Sequence, residues 1–239
     1  MLNSLILGDN LEVLKSLPDN SIDLCYIDPP FFSNRNYAVI WGDKGEVRSF
    51  EDCWDGGVDT YINWMYKRVE QIHRILKPTG SFYLHCDWHA DAYLRVYVLD
   101  KIFGAKNFRN EIIWCYTGGG SSKENFGNKH DNIYFYSKSE KWVFNSEDIR
   151  IEYNLDPSKR KSDKAWGSNS KSGKVYKPNE NGKIPENWWI LSPLNSQSKE
   201  RIGYPTQKPE ALLERIICTK PSTLYIFQTN LRGKSFINF

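Results

Sequence analysis

The sequence predicts an α/β domain built on a parallel sheet, and three observations carry that prediction. Short apolar runs at residues 4–7 (Ser-Leu-Ile-Leu) and 22–27 (Ile-Asp-Leu-Cys-Tyr-Ile) flank a segment with Leu11, Leu14 and Leu17 at helical spacing. Strand, helix and strand at this spacing imply parallel pairing through a crossover. An amphipathic segment at 59–77 is followed by another apolar run at 81–85, which repeats the pattern. Finally, the 22–27 run leads straight into Asp28-Pro29-Pro30-Phe31. A motif just past the carboxyl end of a strand lies where open α/β sheets hold their ligands.

The elements follow in order. The 4–7 strand stops at Gly8-Asp9, and Asp9 or Asn10 caps the short helix after it. Pro18-Asp19-Asn20 is a turn into the second strand. Residues 33–57 are rich in Gly, Asn, Asp and Trp and read as loop. Helix 59–77 places Ile62, Met65, Tyr66, Val69, Ile72 and Leu76 on one face, and Pro78-Thr79-Gly80 ends it before the 81–85 strand. A further helix spans 90–103, with Gly104 as its stop. Strands at 111–116 and 133–137 flank Gly118-Gly119-Gly120, which lacks the Lys-Ser/Thr of a phosphate loop. Residues 204–209 (Tyr-Pro-Thr-Gln-Lys-Pro) lead into a last helix with Pro209 in its first turn.

Composition narrows the class. At 239 residues the chain makes one large domain or two small ones, and can bury roughly 70–75% of its extended surface. With 40% hydrophobic and 26% charged residues it is neither disordered, collagenous nor a coiled coil. No apolar run approaches the roughly 20 residues of a membrane span, and Met1-Leu2-Asn3-Ser4 does not open a signal peptide. The five cysteines (Cys25, Cys53, Cys86, Cys115, Cys218) have no framework spacing, so reduced thiols and a cytoplasmic location are expected. Aromatics reach 15%, enough to serve stacking surfaces as well as a core. Between Pro157 and Lys183 eight basic residues face two acidic ones, a net +6 that leaves −3 for the rest of a chain whose total is +3. Such a strip is either a solvated loop or a polyanion-binding insert. Trp166 and Tyr176, interleaved with lysines, favour nucleic acid.

Asp28-Pro29-Pro30-Phe31 fits one reaction well. The exocyclic amine of a base is a poor nucleophile because its lone pair is delocalised into the ring. A carboxylate and a backbone carbonyl, each accepting one N–H, pull the nitrogen towards a tetrahedral shape and free the lone pair. Asp28 offers the carboxylate and Pro29 the carbonyl. The prolines fix the backbone and add no competing N–H. Phe31 gives a base a face to stack on, and a base in a duplex would have to be flipped out to reach it. The alternative is a rigid strand-exit turn. His85-Cys86-Asp87-Trp88-His89 has ligand-type residues, but the chain offers four histidines and no closely spaced cysteine pair, so no metal is expected. Asp87 suits orienting the site better.

At this point the sequence resembles a family. Asp28–Phe31, Leu76–His89 (LKPTGSFYLHCDWH), Asn107–Trp114, Lys129–Lys138 (KHDNIYFYSK) and Asn195–Ile217 (NSQSKERIGYPTQKPEALLERII) are similar, in order, to segments of amino-methylating DNA methyltransferases. The class is the one whose catalytic motif precedes its cofactor motif. The resemblance covers about residues 3–145 and 188–217. It implies a Rossmann-like, permuted methyltransferase fold, with the catalytic domain at 1–145 and 192–239 and a basic target-recognition insert at 146–191. It implies S-adenosylmethionine as cofactor, held by Thr206, Gln207 and Lys208 before a helix N-terminus and by Asp9 at the adenine amine; for Asp9 a plain helix cap is the equal alternative. The implied partners are double-stranded DNA, contacted by Lys159, Arg160, Lys161, Lys164, Trp166, Lys171, Lys174 and Tyr176, and a cognate restriction subunit. Asp rather than Ser in the motif resembles adenine-N6 members more than cytosine-N4 members.

One departure stands out. After Ile217 the family continues into a strand and a Gly-rich turn that cradle the cofactor, whereas residues 218–239 hold one glycine, Gly233, and no such motif. The expectation is a truncated or frame-shifted ending that lacks the cofactor-motif strands and leaves the 22–27 strand with an open edge. A non-catalytic DNA-binding remnant, a methylase of cytosine N4 or of a protein amide, and a metal hydrolase are the rival readings.

Overall fold

The structure is a computed structural model that describes residues 5–41, 46–117, 123–153, 179–195, 197–201, 206–220, 224–230 and 234–238. The chain runs through β1 (Leu5–Gly8), α1 (Asn10–Ser16), β2 (Ile22–Asp28), β3 (Asn36–Trp41), β4 (Glu46–Glu51), α2 (Gly57–Ile75) and β5 (Leu76–Cys86). It continues through α3 (Asp91–Leu94), which widens into a π-helix at Arg95–Gly104, then β6 (Phe108–Cys115), β7 (His130–Ser137), β8 (Trp188–Ile190), α4 (Glu210–Ile217), β9 (Leu224–Asn230) and β10 (Lys234–Asn238). Eight strands form one sheet in the order β1-β10-β9-β2-β5-β7-β6-β8, and β3 and β4 pair separately.

The sheet is mixed rather than wholly parallel. β2 runs parallel to β5 and to β9, and β6 to β8, while β1, β10 and β7 pair antiparallel. Helices cover both faces. On one side α1, α2 and the π-helix bury Leu14, Tyr61, Met65, Val69, Ile72, Val98, Leu99 and Phe103 against Cys25, Ile27, Phe82 and Leu84. On the other, Leu212 and Ile216 of α4 pack with Leu24, Tyr26, Tyr83, Ile133, Phe135 and Trp189. Burial on both faces is why β2 is mostly apolar rather than alternating, with Asp23 and Asp28 as its polar residues.

Long polar side chains tie the helix ends down. At the end of α1, Arg74 of α2 donates to the carbonyl of Leu14 (2.8 Å), which also accepts the Leu17 N–H, and to that of Leu17 (3.0 Å). Lys138 does the same at the end of α2, donating to Leu76 O (2.6 Å) and Arg74 O (3.1 Å). Lys220 is buried, with its ammonium on Asp23 O (2.8 Å) and Thr79 O (2.5 Å), and burial lowers its pKa to about 8.

Four expectations need correction. Residues 33–57 are not simply loop, because β3 and β4 form a hairpin there. The run Tyr-Ala-Val-Ile-Trp at 37–41 is a good strand former that its Gly- and Asp-rich surroundings obscure. The 90–103 helix is α-helical only over Asp91–Leu94 before it widens. The sheet is not all-parallel. The open edge at β2 is filled: Leu24 pairs with Leu224, Tyr26 with Ile226 and Asp28 with Gln228, and β10 completes the sheet to β1. Leu-Tyr-Ile-Phe at 224–227 has the β-branched and aromatic character a sheet interior takes, so the tail supplies strands without the glycine-rich sequence. Among the described residues no helix is long and apolar enough to cross a membrane.

Candidate active site

The site is built on the carboxyl end of β2. Asp28 is its last residue, 6% exposed, with Pro29 buried and Pro30 half-buried beyond it. The strand register sets Asp28 beside Gln228 of β9, one step past the Ile27–Leu84 pair with β5. Carboxylates are rarely buried without a partner, and Asp28 has one: Lys208 Nζ lies 2.9 Å from its Oδ1. The same ammonium stands 5.0 Å from the centre of the Phe31 ring, over its face. The loop before α4, far away in sequence, thus delivers a cation to the carboxylate and ring of the Asp-Pro-Pro-Phe turn.

Behind Phe31 lies a buried polar chain. His85 of β5, wholly buried, has its ring 5.6 Å from that of Phe31. Its Nδ1 is 2.7 Å from the Tyr26 hydroxyl and its Nε2 is 3.0 Å from Asp131 Oδ2. Tyr116 donates to the other Asp131 oxygen at 3.0 Å. Burial lowers the His85 pKa, and Lys208 lowers it further. Burial pushes Asp131 up, but the His85 hydrogen bond, Lys208 and the Tyr116 hydroxyl outweigh it and hold the carboxyl below its ordinary value. Burial, with Asp28 and Asp131 nearby, keeps Tyr26 protonated well above its usual range. If the Asp131 carboxylate accepts from Nε2–H, Nδ1 is the ring nitrogen left to accept the Tyr26 hydroxyl hydrogen bond.

The turn itself is pinned. Tyr61 of α2 donates to Pro30 O at 2.6 Å, and burial keeps that phenol protonated. Phe32 has φ 62° and Asn34 φ 52°, left-handed conformations that cost about 1–3 kcal/mol each outside glycine and persist only where the surroundings impose them. Asp52, 1% exposed, accepts the backbone N–H groups of Phe32 (3.0 Å) and Ser33 (2.6 Å).

A cavity of about 370 Å³ lies nearby, lined by Asp9, Cys53, Trp54, Asp55, Thr60, Trp64 and Arg68. Asp9 caps α1, accepting from Leu11 N (2.8 Å) and Glu12 N (3.3 Å), and its other oxygen is 3.5 Å from Arg68. Arg68 covers the Trp64 ring at 3.8 Å and donates to Asn10 at 2.7 Å; burial lowers its pKa to about 10.

The structure brings Asp28, Pro29, Pro30, Phe31 and Lys208 together. Asp9 sits apart as a cap on the cavity wall. Gln207 donates to Glu200 O at 2.7 Å, and Thr206 is half-buried in the turn before it. Asp87 is engaged by His89, whose backbone N–H and Nδ1 lie 3.0 and 2.8 Å from its carboxylate oxygens. Lys159, Arg160, Lys161, Lys164, Trp166, Lys171, Lys174 and Tyr176 lie outside the described residues, as does Gly118–Gly120. Sequence reading missed Asp52, Tyr61 and the Tyr26–His85–Asp131–Tyr116 chain. The one available signal is His85 within a cluster of ligand-type residues, considered in the sequence only as a metal site and set aside as one.

A buried carboxylate and a proline turn at the carboxyl end of a central strand, beside an aromatic ring, form a candidate α/β site with acceptors for an amine. The chain belongs to the DNA methylase family of the N6/N4 type, which matches residues 22–223. It is 27% identical to the type II methyltransferase M.BglII of Bacillus subtilis, over 94% of this chain and 59% of that one. It is 29% identical to the DNA adenine methyltransferase YhdJ of Escherichia coli, over 90% of this chain and 66% of that one. The chain thus spans roughly six-tenths of the length of these curated relatives. The PvuII DNA methyltransferase, titled cytosine-N4-specific, shares the fold with a TM-score of 0.59 and 18% identity, covering 93% of this chain and 72% of that one.

Proposed function

We propose that the chain transfers a methyl group from S-adenosylmethionine to the N6 amine of adenine in DNA, as the modifying partner of a restriction system. The observation that carries this reading is the seat formed by Asp28 and Phe31. It already takes a nitrogen: the Lys208 ammonium lies at hydrogen-bond distance from the carboxylate and over the aromatic face. A target amine has the same requirements.

The donor set also fits the cofactor. A 370 Å³ cavity walled by Trp54 and Trp64, with the Asp9 carboxylate on its rim, has the size and lining of a small-molecule site. Asp9 and the tryptophans would hold the adenosine, and Lys208, once off Asp28, would meet the carboxylate. When bound, S-adenosylmethionine supplies an electrophilic methyl on a sulfonium. The rest falls to this chain. Asp28 and the Pro29 carbonyl accept the two amine hydrogens and orient the lone pair. Phe31 stacks on the flipped base, and its face with Asp28 stabilises the positive charge that grows on the nitrogen. Lys208 must leave the seat before the amine enters. Phosphate contacts would come from the lysines of the 146–191 insert.

Adenine is favoured over cytosine by the Asp in the motif and by the name of the Escherichia coli relative. Asp28→Ala tests the reading. Loss of this acceptor should lower labelled-methyl incorporation into unmethylated genomic DNA on the order of 100-fold or more. Near-normal turnover by the variant would remove Asp28 from the reaction, and digestion of the product to nucleosides would separate N6-methyladenine from N4-methylcytosine.

A further inference from the structure

We propose that Asp52 is the positioning residue of the catalytic turn, acting with Tyr61 and Trp54 as a clamp on the segment that carries Asp28 to Phe31. The proposal rests on the function above but adds a residue to it. Asp52 touches none of the reacting groups. Its carboxylate is 1% exposed, and four donors meet its two oxygens. Oδ1 takes Phe32 N–H at 3.0 Å and the indole N–H of Trp54 at 3.0 Å. Oδ2 takes Ser33 N–H at 2.6 Å and the Ser33 hydroxyl at 2.7 Å. The Asp52 backbone N–H closes the loop on Arg35 O at 2.9 Å. A carboxylate has about four lone-pair sites, so this one is saturated.

The clamp holds the turn at both ends. Downstream, Asp52 imposes the left-handed backbone of Phe32, at φ 62°, which an aromatic residue does not adopt by preference. Upstream, Tyr61 holds the Pro30 carbonyl. Trp54 joins the two, donating to Asp52 while its ring meets Tyr61 edge-on at 4.9 Å. The Phe32 ring packs on Tyr61 at 5.6 Å. Between these fixed points lies the Phe31 ring, and the Pro29 carbonyl stands one residue before the Tyr61 bond; their directions decide whether an amine is held and a base stacked. A second effect is chemical. The N–H groups of Phe32 and Ser33 are donors beside a site that must offer acceptors, and Asp52 occupies both.

The test separates positioning from mere stability by reading two things. In hydrogen exchange followed by mass spectrometry, Asp52→Ala should speed exchange of the Phe32 and Ser33 amides at least tenfold while those of β2 and β5 stay protected. In steady-state assays with unmethylated genomic DNA and tritiated-methyl S-adenosylmethionine, kcat should fall at least tenfold with KM for DNA within about threefold. Ser33→Ala, which removes the hydroxyl that Oδ2 accepts and leaves the backbone N–H bonds, should shift both readouts the same way by a smaller step. It serves if Asp52→Ala loses protection throughout. Unchanged exchange at residues 32–33, or lost protection there with full kcat, overturns the proposal. If the wild-type chain methylates no DNA, the proposed function fails, and the exchange result alone decides whether Asp52 holds the turn.

Discussion

Asp28 and Lys208 illustrate how little of a site lies in any one residue. Their side chains are 6% and 11% exposed, so each is the other's opposite charge in a mostly dry setting. Breaking a buried pair by removing one partner typically costs about 3–5 kcal/mol, because an uncompensated charge is left behind. Lys208→Met should therefore destabilise the protein by roughly that amount, while Asp28→Asn with Lys208→Met should recover most of it. Chemical denaturation of the two single variants and the double checks the cycle; strictly additive losses would mean that the pair is not coupled. Asp28 was legible in the sequence because its neighbours Pro29, Pro30 and Phe31 are contiguous with it. The placement of Lys208 beside it was not, because it depends on a loop 180 residues away folding back over β2. Asp52 was hidden for a similar reason: its partners are 19 and 20 residues upstream, across a hairpin that the sequence did not announce.

At the scale of elements, α1 shows two roles meeting in one side chain. Asp9, one of the two cap residues the sequence offered, closes the helix N-terminus and also faces Arg68 on the rim of the tryptophan-walled cavity. The two roles separate by substitution. Asp9→Ala should cost about 1 kcal/mol of stability through the lost cap, whereas Asp9→Ser should restore all but a few tenths. A serine hydroxyl is too short to keep the carboxylate's reach into the cavity. If Asp9 also receives the cofactor's adenine amine, both variants should bind S-adenosylmethionine about tenfold more weakly by calorimetry, the worth of a hydrogen bond to a charged acceptor. Wild-type affinity in the serine variant would leave Asp9 as a cap alone. Helix α2 and strands β2 and β5 were readable because their periodicity is set by burial on a defined face. The widening of α3 into a π-helix was not, since apolar spacing in sequence does not distinguish four residues per loop from five.

For the whole molecule, the central lesson is the tail. A reading tuned to a glycine-rich motif left β2 exposed, yet Leu224–Asn230 takes the position beside β2 and β10 links it to β1. Sheet closure needs strand-forming residues of sufficient length, and that requirement is independent of the glycines a cofactor needs. Deeper in the sheet His85 is buried among Tyr26, Phe31, Trp114 and Asp131, and burial there makes stability depend on pH. His85 is held below its ordinary 6.5, chiefly by burial, and so is His73, whose ring packs edge-on against Phe103 at 4.9 Å. For a histidine of lowered pKa, the unfolded chain binds the proton first. The stability is therefore complete above about pH 6.5 and falls as pH drops beneath it, by at most about 1.4 kcal/mol per pH unit for each fully neutral histidine. His73 is part-exposed and contributes less. Asp131, held below its ordinary 3.8, adds stability that is lost only at lower pH, and Asp87, raised by burial, acts in the opposite sense from the acid end. His85→Gln also alters the hydrogen bond to Asp131, so the comparison is made above pH 5, beyond that carboxyl's range. Denaturation between pH 5 and 7 should show a stability that rises with pH, a shallower rise in His85→Gln, and almost none in His73→Gln with His85→Gln. An undiminished slope in the double variant would mean that burial does not hold these rings neutral.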